Sequence, residues 1–379
     1  MTAPVHILHL HSSFALGGKE ARAVRLMNAF GPAARHTIVS GMPGELGARA
    51  AIAPGIAYEI AQDPPPLTGK PSVARYDAIA GFMRRFDLVL TYNWGAIDGV
   101  MAKRVFPKGA PPVVHHEDGF NSDEAKGLNR MRNAYRRMAM GVAHAMVVPS
   151  HRLEDIALKI WKQPRERVHR IPNGIALANY YVEPKRNAIP GFRPKGRRPV
   201  VGTLAGLRPV KDLPLLVRAV GGIPLDTELV IVGEGPERQT IVDAAEAMFM
   251  EDRVHLPGFL RDPHKYMGLF DVFALSSQSE QQPISVIEAM ATGLPVVAPD
   301  VGDIRHMVSE ENLPYISPDR HEVHLRDRLA ILVQNPELRA RIGNANRIKA
   351  AQLFDEQAMI AAYRDLYSAA MRRPGVLGP

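Results

Sequence analysis

Residues 276–302 read SSQSEQQPISVIEAMATGLPVVAPDVG, and their reading decides the fold. Ser276 to Gln282 is polar, Pro283 carries the fixed φ suited to a first helical position, and SVIEAMA is a short helix stopped by Gly293. LPVVAP then reads as a short strand, apolar on both faces, of the kind buried inside parallel sheets. Glu280 lies in the loop and Glu288 inside the helix, with seven residues between them. A carboxylate before a helix and another one turn in can face one crevice, where they accept hydrogen bonds from a polyhydroxylated ligand. The helix N-terminus at Pro283, Ile284 and Ser285 offers amide N–H groups to an anion. Hydroxyls and a phosphate bound together describe a nucleotide sugar. On spacing alone, an ordinary loop and helix with solvated carboxylates fits equally well.

The same alternation extends upstream. PVVGTLAGL, KDLPLLVRAVG, ELVIVGEGP, ERQTIVDAAEAM, VHLPGFL and VFALSS read as strands and helices from residue 199 onward. Arg208 and Lys211 follow a strand end, where a guanidinium fork and an ammonium point charge suit a diphosphate. Gly233 and Gly235 allow close backbone approach before a helix, although a plain turn needs such residues too. Ahead of this half, residues 181–198 read YVEPKRNAIPGFRPKGRR, rich in Pro, Gly and charge and without periodicity, as an interdomain connection does.

Strands and helices also alternate in the first half. VHILHL leads into Gly17 and Gly18 at a strand-to-helix turn, where φ > 0 and close approach to a ligand, or simply a tight turn, would use them. DLVLTYN ends at Asn93 and Trp94, and PPVVHHEDGF ends in His115, His116, Glu117 and Asp118. Ligands of open α/β sheets collect beyond the carboxyl ends of the strands, so these groups are expected on one rim, with a structural role for the histidines left open. Farther on, Leu128, Met131, Tyr135, Met138 and Val142 recur at helical spacing beside Lys126, Arg130, Arg132, Arg136 and Arg137. That pattern suits a helix on an anionic membrane or an acidic acceptor, and equally a packed helix with a solvated charged face.

A chain of 379 residues suggests two domains, and 46% hydrophobic with 23% charged residues is the balance of a folded protein. The absence of cysteine excludes disulfides and thiolate metal sites. No apolar run is long enough to span a bilayer, and MTAPVHILHLHSS lacks the layout of a signal peptide, so a cytoplasmic location is expected. The net charge of +8 is uneven: residues 1–190 carry 25 Lys and Arg against 15 Asp and Glu, the remainder 22 against 24. A basic half can meet nucleic acid, an anionic membrane or an anionic substrate. Nucleic acid is not expected, because the basic residues lack aromatic interleaving or a recognisable module. Neither DxD, HExxH nor a Walker motif occurs, so no metal or cofactor is expected, a nucleotide sugar being a substrate.

Taken in order, GGKE, IPNGI, GTLAGLRPVKDLPLLVRA, VGEGPE, LPGFL and SEQQPISVIEAMATGLPVVAPDVG resemble the family-four retaining glycosyltransferases of GT-B fold, over most of the chain and most strongly from 199 to 302. The resemblance implies an α/β protein of two Rossmann-like doubly wound domains facing a central cleft. Their expected bounds are 1–185 for the acceptor side, 186–198 for a linker, 199–355 for the donor side, and 356–379 for a C-terminal helix returning to the first domain. It implies that Glu288 binds ribose, Glu280 the donor sugar, Lys211 the diphosphate, and Gly17 and Gly18 the phosphates from the opposite domain, with Gly258 to Leu260 beside the base. Arg208, Gly235, Pro283, Ile284 and Ser285 complete the donor side. Glu280, Lys211 and His116 are the catalytic candidates, His116 ahead of His115 to orient the sugar or handle the acceptor proton. Asn93, Trp94, His115, Glu117, Asp118, Arg136 and Arg137 fall on the acceptor side.

The chain departs from the family at Gly206, where an Arg is usual, at Gln281, where a Gly is usual, and at Asp303 and His306, where Gly and Glu are usual. The expected reaction is metal-independent transfer of a hexosyl unit from an NDP-sugar, with retention, to a glycan or lipid-linked glycan. Envelope polysaccharide or lipopolysaccharide synthesis at the inner face of the cytoplasmic membrane would be its setting. Binding of a sugar nucleotide or glycan without transfer, and an epimerase or phosphorylase on the same fold, remain alternatives.

Overall fold

The computed structural model describes residues 3–120, 124, 127–194, 196 and 198–378. Lys126, one of the expected basic residues, lies outside them. The short β-branched runs become strands β1 Val5–His11, β2 Ala34–Ser40, β3 Tyr58–Ile60, β4 Leu88–Tyr92, β5 Val113–His116, β6 Ala145–Val148 and β7 Val168–Arg170. They pair in parallel in the order β3-β2-β1-β4-β5-β6-β7. Helices α1 Gly18–Phe30, α2 Val73–Met83, α3 Ile97–Val105, α4 Arg130–Met140 and α5 His151–Asp155 accompany this sheet. Both faces are covered, which is why apolar residues face both sides of the central strands, with His9, His11, His36, His115 and His116 buried among them. Ile7, Leu88 and Val114 pack with α1 on one side, and Leu8, Leu10 and Val89 with α2 and α3 on the other.

The second sheet contains β8 Val200–Leu204, β9 Glu228–Val232, β10 Val254–Gly258, β11 Val272–Ala274, β12 Val296–Pro299 and β13 Ile316–Ser317. These are parallel in the order β10-β9-β8-β11-β12-β13. With it go α6 Leu213–Gly221, α7 Arg238–Ala247, α8 Ile284–Thr292, α9 Ile304–Met307, α10 Glu322–Gln334 and α11 Pro336–Leu353. The last helix, α12 Glu356–Ala370, places Tyr363 and Tyr367 in the core of the first sheet. Strand order therefore reverses between β1 and β4 in one sheet and between β8 and β11 in the other. A crevice opens at such reversals, beyond the strand ends.

The chain forms two compact units, residues 1–173 with 357–379, and residues 174–356. The segment 186–198, whose composition reads as a linker, belongs to the second unit. Its Ile189 and Phe192 are buried with Val200, Phe273 and Val296, so two apolar anchors among the prolines and glycines tie it down. The chain crosses between units instead after Asn173 and again after Glu356. Beside these crossings, Ile175 N–H donates to Phe354 C=O at 3.0 Å, and a Cβ on Gly174 would sit 2.6 Å from the Asp355 carbonyl oxygen. Among the described residues no helix is long and apolar enough to cross a membrane.

Candidate functional site

The loops after β8 and β11, the two strands flanking the second reversal, carry Lys211 and Glu280. After β8 the chain runs extended, and the turn between β9 and α7 presses against it. Ala205 N–H bonds Val232 C=O at 3.1 Å and Leu207 N–H bonds Glu234 C=O at 2.9 Å. Gly233 (φ +150°) and Gly235 (φ +155°) make this approach possible, since Cβ atoms there would lie 1.9 Å from Ala205 O and 2.4 Å from Leu207 O. At Gly235 the space a side chain would need is filled by the Leu207 backbone. Gly233→Ala is expected to cost about 2–4 kcal/mol from left-handed strain and overlap. A thermal melt checks this, and an unchanged Tm would contradict it.

The 209–211 turn is bound to the loop after β11. Ser276 Oγ donates to Lys211 C=O at 2.9 Å and Gln278 N–H to Val210 C=O at 2.8 Å. Lys211 Nζ thereby reaches Glu280 Oε1 at 2.5 Å. Glu280 is held from below by Gly302 (φ +63°), where a Cβ would meet the Glu280 carbonyl oxygen at 2.4 Å. Arg208 is exposed, and its guanidinium folds back over Gly206, Nε lying 3.2 Å from where a Cβ would be.

Pro283 is the N-cap of α8, not its first helical residue, because its ψ of 118° is extended. No side chain caps the helix, so the amides of Ile284 and Ser285 open its N-terminus toward the same loop. Glu288 lies one turn in and accepts a hydrogen bond from Tyr180 Oη at 2.8 Å. Tyr266 is buried nearby; burial, and then the charge of Glu288, push its phenol well above the ordinary range. Leu260 packs on the core cluster that holds Tyr180 and Tyr266. Gly258 (φ +85°) faces the Glu234 carboxylate, which a Cβ would approach to 2.6 Å.

In the first unit, Gly17 is the N-cap of α1, with an extended backbone (φ −146°, ψ 176°), and Gly18 is the first helical residue. Neither adopts the positive φ foreseen for the pair. At Gly17 a Cβ would lie 2.8 Å from the end of the Glu20 side chain. Asn93 does adopt positive φ, +56°, and fastens two strand ends. Its N–H donates to His116 C=O at 2.7 Å, and its Oδ1 accepts from Asp118 N–H at 2.7 Å. Asp118 takes a bidentate hand from Arg22 at 2.5 and 2.8 Å, and Arg22 also reaches Asn173 Oδ1 at 3.1 Å. Burial alone would raise the Asp118 pKa, but the charge and hydrogen bonds of Arg22 outweigh it and hold the carboxyl below its usual value.

The histidines do not line a rim. His116 is buried, with Nε2 2.7 Å from Tyr367 Oη, Nδ1 3.2 Å from Thr91 C=O and its ring stacked on Tyr92. Both nitrogens are committed and α12 covers the ring, so His116 is placed as a core residue rather than as an acid or base. Burial first, then Arg22, lowers its pKa to about 3. His115 is buried on the other face, bonded to Thr91 Oγ1 at 2.8 Å. Glu117, also buried, is 3.7 Å from His115 Nε2 and 3.5 Å from Arg136 Nε.

Arg136 is likewise not a surface group. Only 1% exposed, it is bidentate to Glu124 at 3.1 and 3.0 Å and caged by Trp94, Trp161 and Phe120 at 5.0, 5.0 and 5.4 Å. Cation–π attraction and the fork pairing make that burial tolerable. Arg137 stays at the surface and donates to Ile160 C=O at 2.6 Å. Trp94 is half-buried between Arg132, Arg136 and Tyr135. The helix is thus turned so that Met131 and Met138, expected inside, face out beside Arg130 and Arg137.

Two family descriptions match successive parts of the chain: Glycosyltransferase Family 4 over residues 16–179 and Glycosyl transferases group 1 over residues 185–349. The chain belongs to the family-four, group 1 glycosyltransferases. Among curated relatives, the N-acetyl-alpha-D-glucosaminyl L-malate synthase of Bacillus anthracis is 22% identical over 61% of this chain and 59% of its own. The lipopolysaccharide core biosynthesis glycosyltransferase LpsD of Rhizobium meliloti is 26% identical over 40% of this chain and 44% of its own. The matched stretches thus span less than two thirds of these relatives. Among solved structures, Anabaena HepE, crystallised with UDP and with UDP-glucose, superposes with a TM-score of 0.78 at 20% identity, over 96% of this chain and 100% of that one. Sucrose-phosphate synthase from Thermosynechococcus elongatus gives 0.76, with the same identity and coverage. The fold is GT-B.

Within this glycosyltransferase, the loops after β8 and β11 bring Lys211 and Glu280 together, and α8 adds Glu288 and its N-terminus. Sequence reasoning missed Tyr180, which bonds Glu288 from 108 positions away, and Arg22, which holds Asp118 from 96. An aromatic hydroxyl in the stretch after IPNGI and an Arg in the first turns of α1 gave no local signal of either partnership.

Proposed function

We propose that this glycosyltransferase moves a hexosyl or hexosaminyl unit from a nucleoside diphosphate sugar to a hydroxyl of a glycan or lipid-linked glycan, with retained anomeric configuration. The observation that carries the reading is the Lys211–Glu280 pair at the β8/β11 reversal, beside the uncapped N-terminus of α8. Cation and helix N-terminus suit a leaving diphosphate, and Glu280 and Glu288 suit sugar and ribose hydroxyls. Arg208, folded over Gly206, offers a guanidinium where the usual Arg is missing. HepE crystallised with UDP-glucose supports UDP as the first nucleotide to try. The test is release of free nucleoside diphosphate from a panel of UDP-, GDP- and ADP-sugars, with and without lipid-linked or soluble glycan acceptors. Acceptor-dependent release is expected. Release dependent on inorganic phosphate instead would identify a phosphorylase, and binding without release a non-transferring protein.

The acceptor is inferred to lie at an anionic membrane surface. The outward face of α4 combines Arg130 and Arg137 with Met131 and Met138, and the helix contains no acidic residue. Vesicles containing anionic phosphatidylglycerol should bind the protein at low salt more than phosphatidylcholine vesicles do. Arg130→Ser with Met131→Ser should lower that binding severalfold. Equal binding to both vesicle types, or none, would contradict the inference.

A further inference from the structure

We propose that Glu280 distinguishes a nucleoside diphosphate that still carries its sugar from one that has lost it, by competing with the diphosphate for Lys211. The inference rests on the donor-site reading above and adds to it a cause of product release.

The pair is built into the loops rather than formed by two swinging surface chains. Lys211 Nζ is 2.5 Å from Glu280 Oε1, with side-chain exposures of 24% and 9%. Its main chain is fixed at both ends: Ser276 and Gln278 bond the 209–211 turn, and Gly302 abuts the Glu280 carbonyl. The ammonium therefore already has a carboxylate partner. A diphosphate that needs this cation must draw it from Glu280, and the stranded carboxylate then repels the incoming charge.

A ligand whose binding-competent state is only fractionally populated binds more weakly by that fraction. Were the pair closed about nine-tenths of the time, a bare diphosphate would bind about tenfold less tightly than to an open site. A donor that still holds its sugar avoids most of this loss, because sugar hydroxyls donate to the Glu280 carboxylate in place of the ammonium. Once the sugar has been transferred, those donors leave with the product. Glu280 then recaptures Lys211, and the diphosphate dissociates.

The experiment is equilibrium binding of UDP, GDP and ADP, and of UDP-glucose, GDP-mannose and ADP-glucose, to the full chain. For the nucleotide that binds, Glu280→Gln should tighten the bare diphosphate about tenfold. The sugar-bearing form should tighten less or weaken. Glu280→Ser should act with the same sign, which guards against an effect peculiar to the amide. In a Lys211→Ala background, Glu280→Gln should leave diphosphate affinity unchanged, because the competition has been removed. Diphosphate affinity that is unchanged or weaker in Glu280→Gln would overturn the proposal while leaving the donor site intact. Failure of every nucleotide to bind, or equal binding to wild type and Lys211→Ala, would overturn the donor-site reading and the competition together.

Discussion

Lys211→Ala is expected to lower kcat/KM for transfer by about 10²–10³, the cost of removing one preorganised group from a developing anion. The loss should fall mainly on kcat, since charge on the leaving diphosphate grows toward the transition state, where Lys211 is proposed to meet it. Glu288→Ala should instead raise KM, because the ribose hydroxyls it is proposed to bind would be held alike in ground and transition states. Lys211→Ala also leaves Glu280, whose side chain is 9% exposed, without its cation. The Lys211→Ala, Glu280→Gln double variant therefore serves as the control for stability. Initial rates over a range of donor concentrations check the split, and a kcat within threefold of wild type for Lys211→Ala would contradict the role given to it.

Acid should unfold the first unit abruptly. His9, His11, His36 and His116 are all buried among the strands of its sheet. Burial comes first among the causes for each, bringing His36 to about 4 and His116 to about 3 and holding His9 and His11 well below their ordinary value. The hydrogen bonds need neutral rings as well: His9 Nε2 and His36 Nδ1 are 3.0 Å apart, so one must accept. A folded pKa below the unfolded value means that the unfolded chain binds more protons between the two. Stability is therefore complete above about pH 6.5 and is lost as pH falls toward the folded values. Each histidine contributes a slope of about 1.4 kcal/mol per pH unit, so four together approach ~5 kcal/mol per unit, comparable to a whole domain's stability. The depressed Asp118 acts in the same direction at lower pH, its contribution being lost as pH falls through its folded pKa. Melting temperatures between pH 7.5 and 5 should fall steeply below pH 6.5, and a flat profile would contradict the account.

The parallel sheets were legible because doubly covered strands must be apolar on both faces. Runs such as VVGTL, ELVIV and VVAP, short and bounded by turn residues, fit buried strands of a parallel sheet. The placement of Lys211, Glu280 and Glu288, proposed above to hold the donor, was legible for a related reason: they sit in the loops after β8 and β11 and in the helix that follows, so local order fixes their neighbourhood. What failed depended on distant chain. His116 reads as a strand-end rim residue until α12, contributing Tyr367 from 251 positions away, closes over it. On α4, Tyr135 packs inward and Arg130 and Arg137 face out as read, but Arg136 changes places with Met131 and Met138, because a buried Arg looks like a surface Arg in one dimension. Glu124 and Glu117 together with the cage of Trp94, Phe120 and Trp161, all outside α4, turn Arg136 inward. The domain crossing was displaced for the same kind of reason, Ile189 and Phe192 being anchors hidden in a composition typical of linkers.

The central claim, a nucleotide-sugar site at the β8/β11 reversal, is tested most directly by thermal shift of wild type and Glu288→Ala with UDP, GDP and ADP and their sugar conjugates. At a ligand concentration of about 100 Kd, binding should stabilise the folded chain by ~2.7 kcal/mol. The account predicts that one nucleotide series raises the wild-type Tm by several degrees and that Glu288→Ala loses most of that rise. No shift with any nucleotide, or an equal shift in the variant, would contradict it.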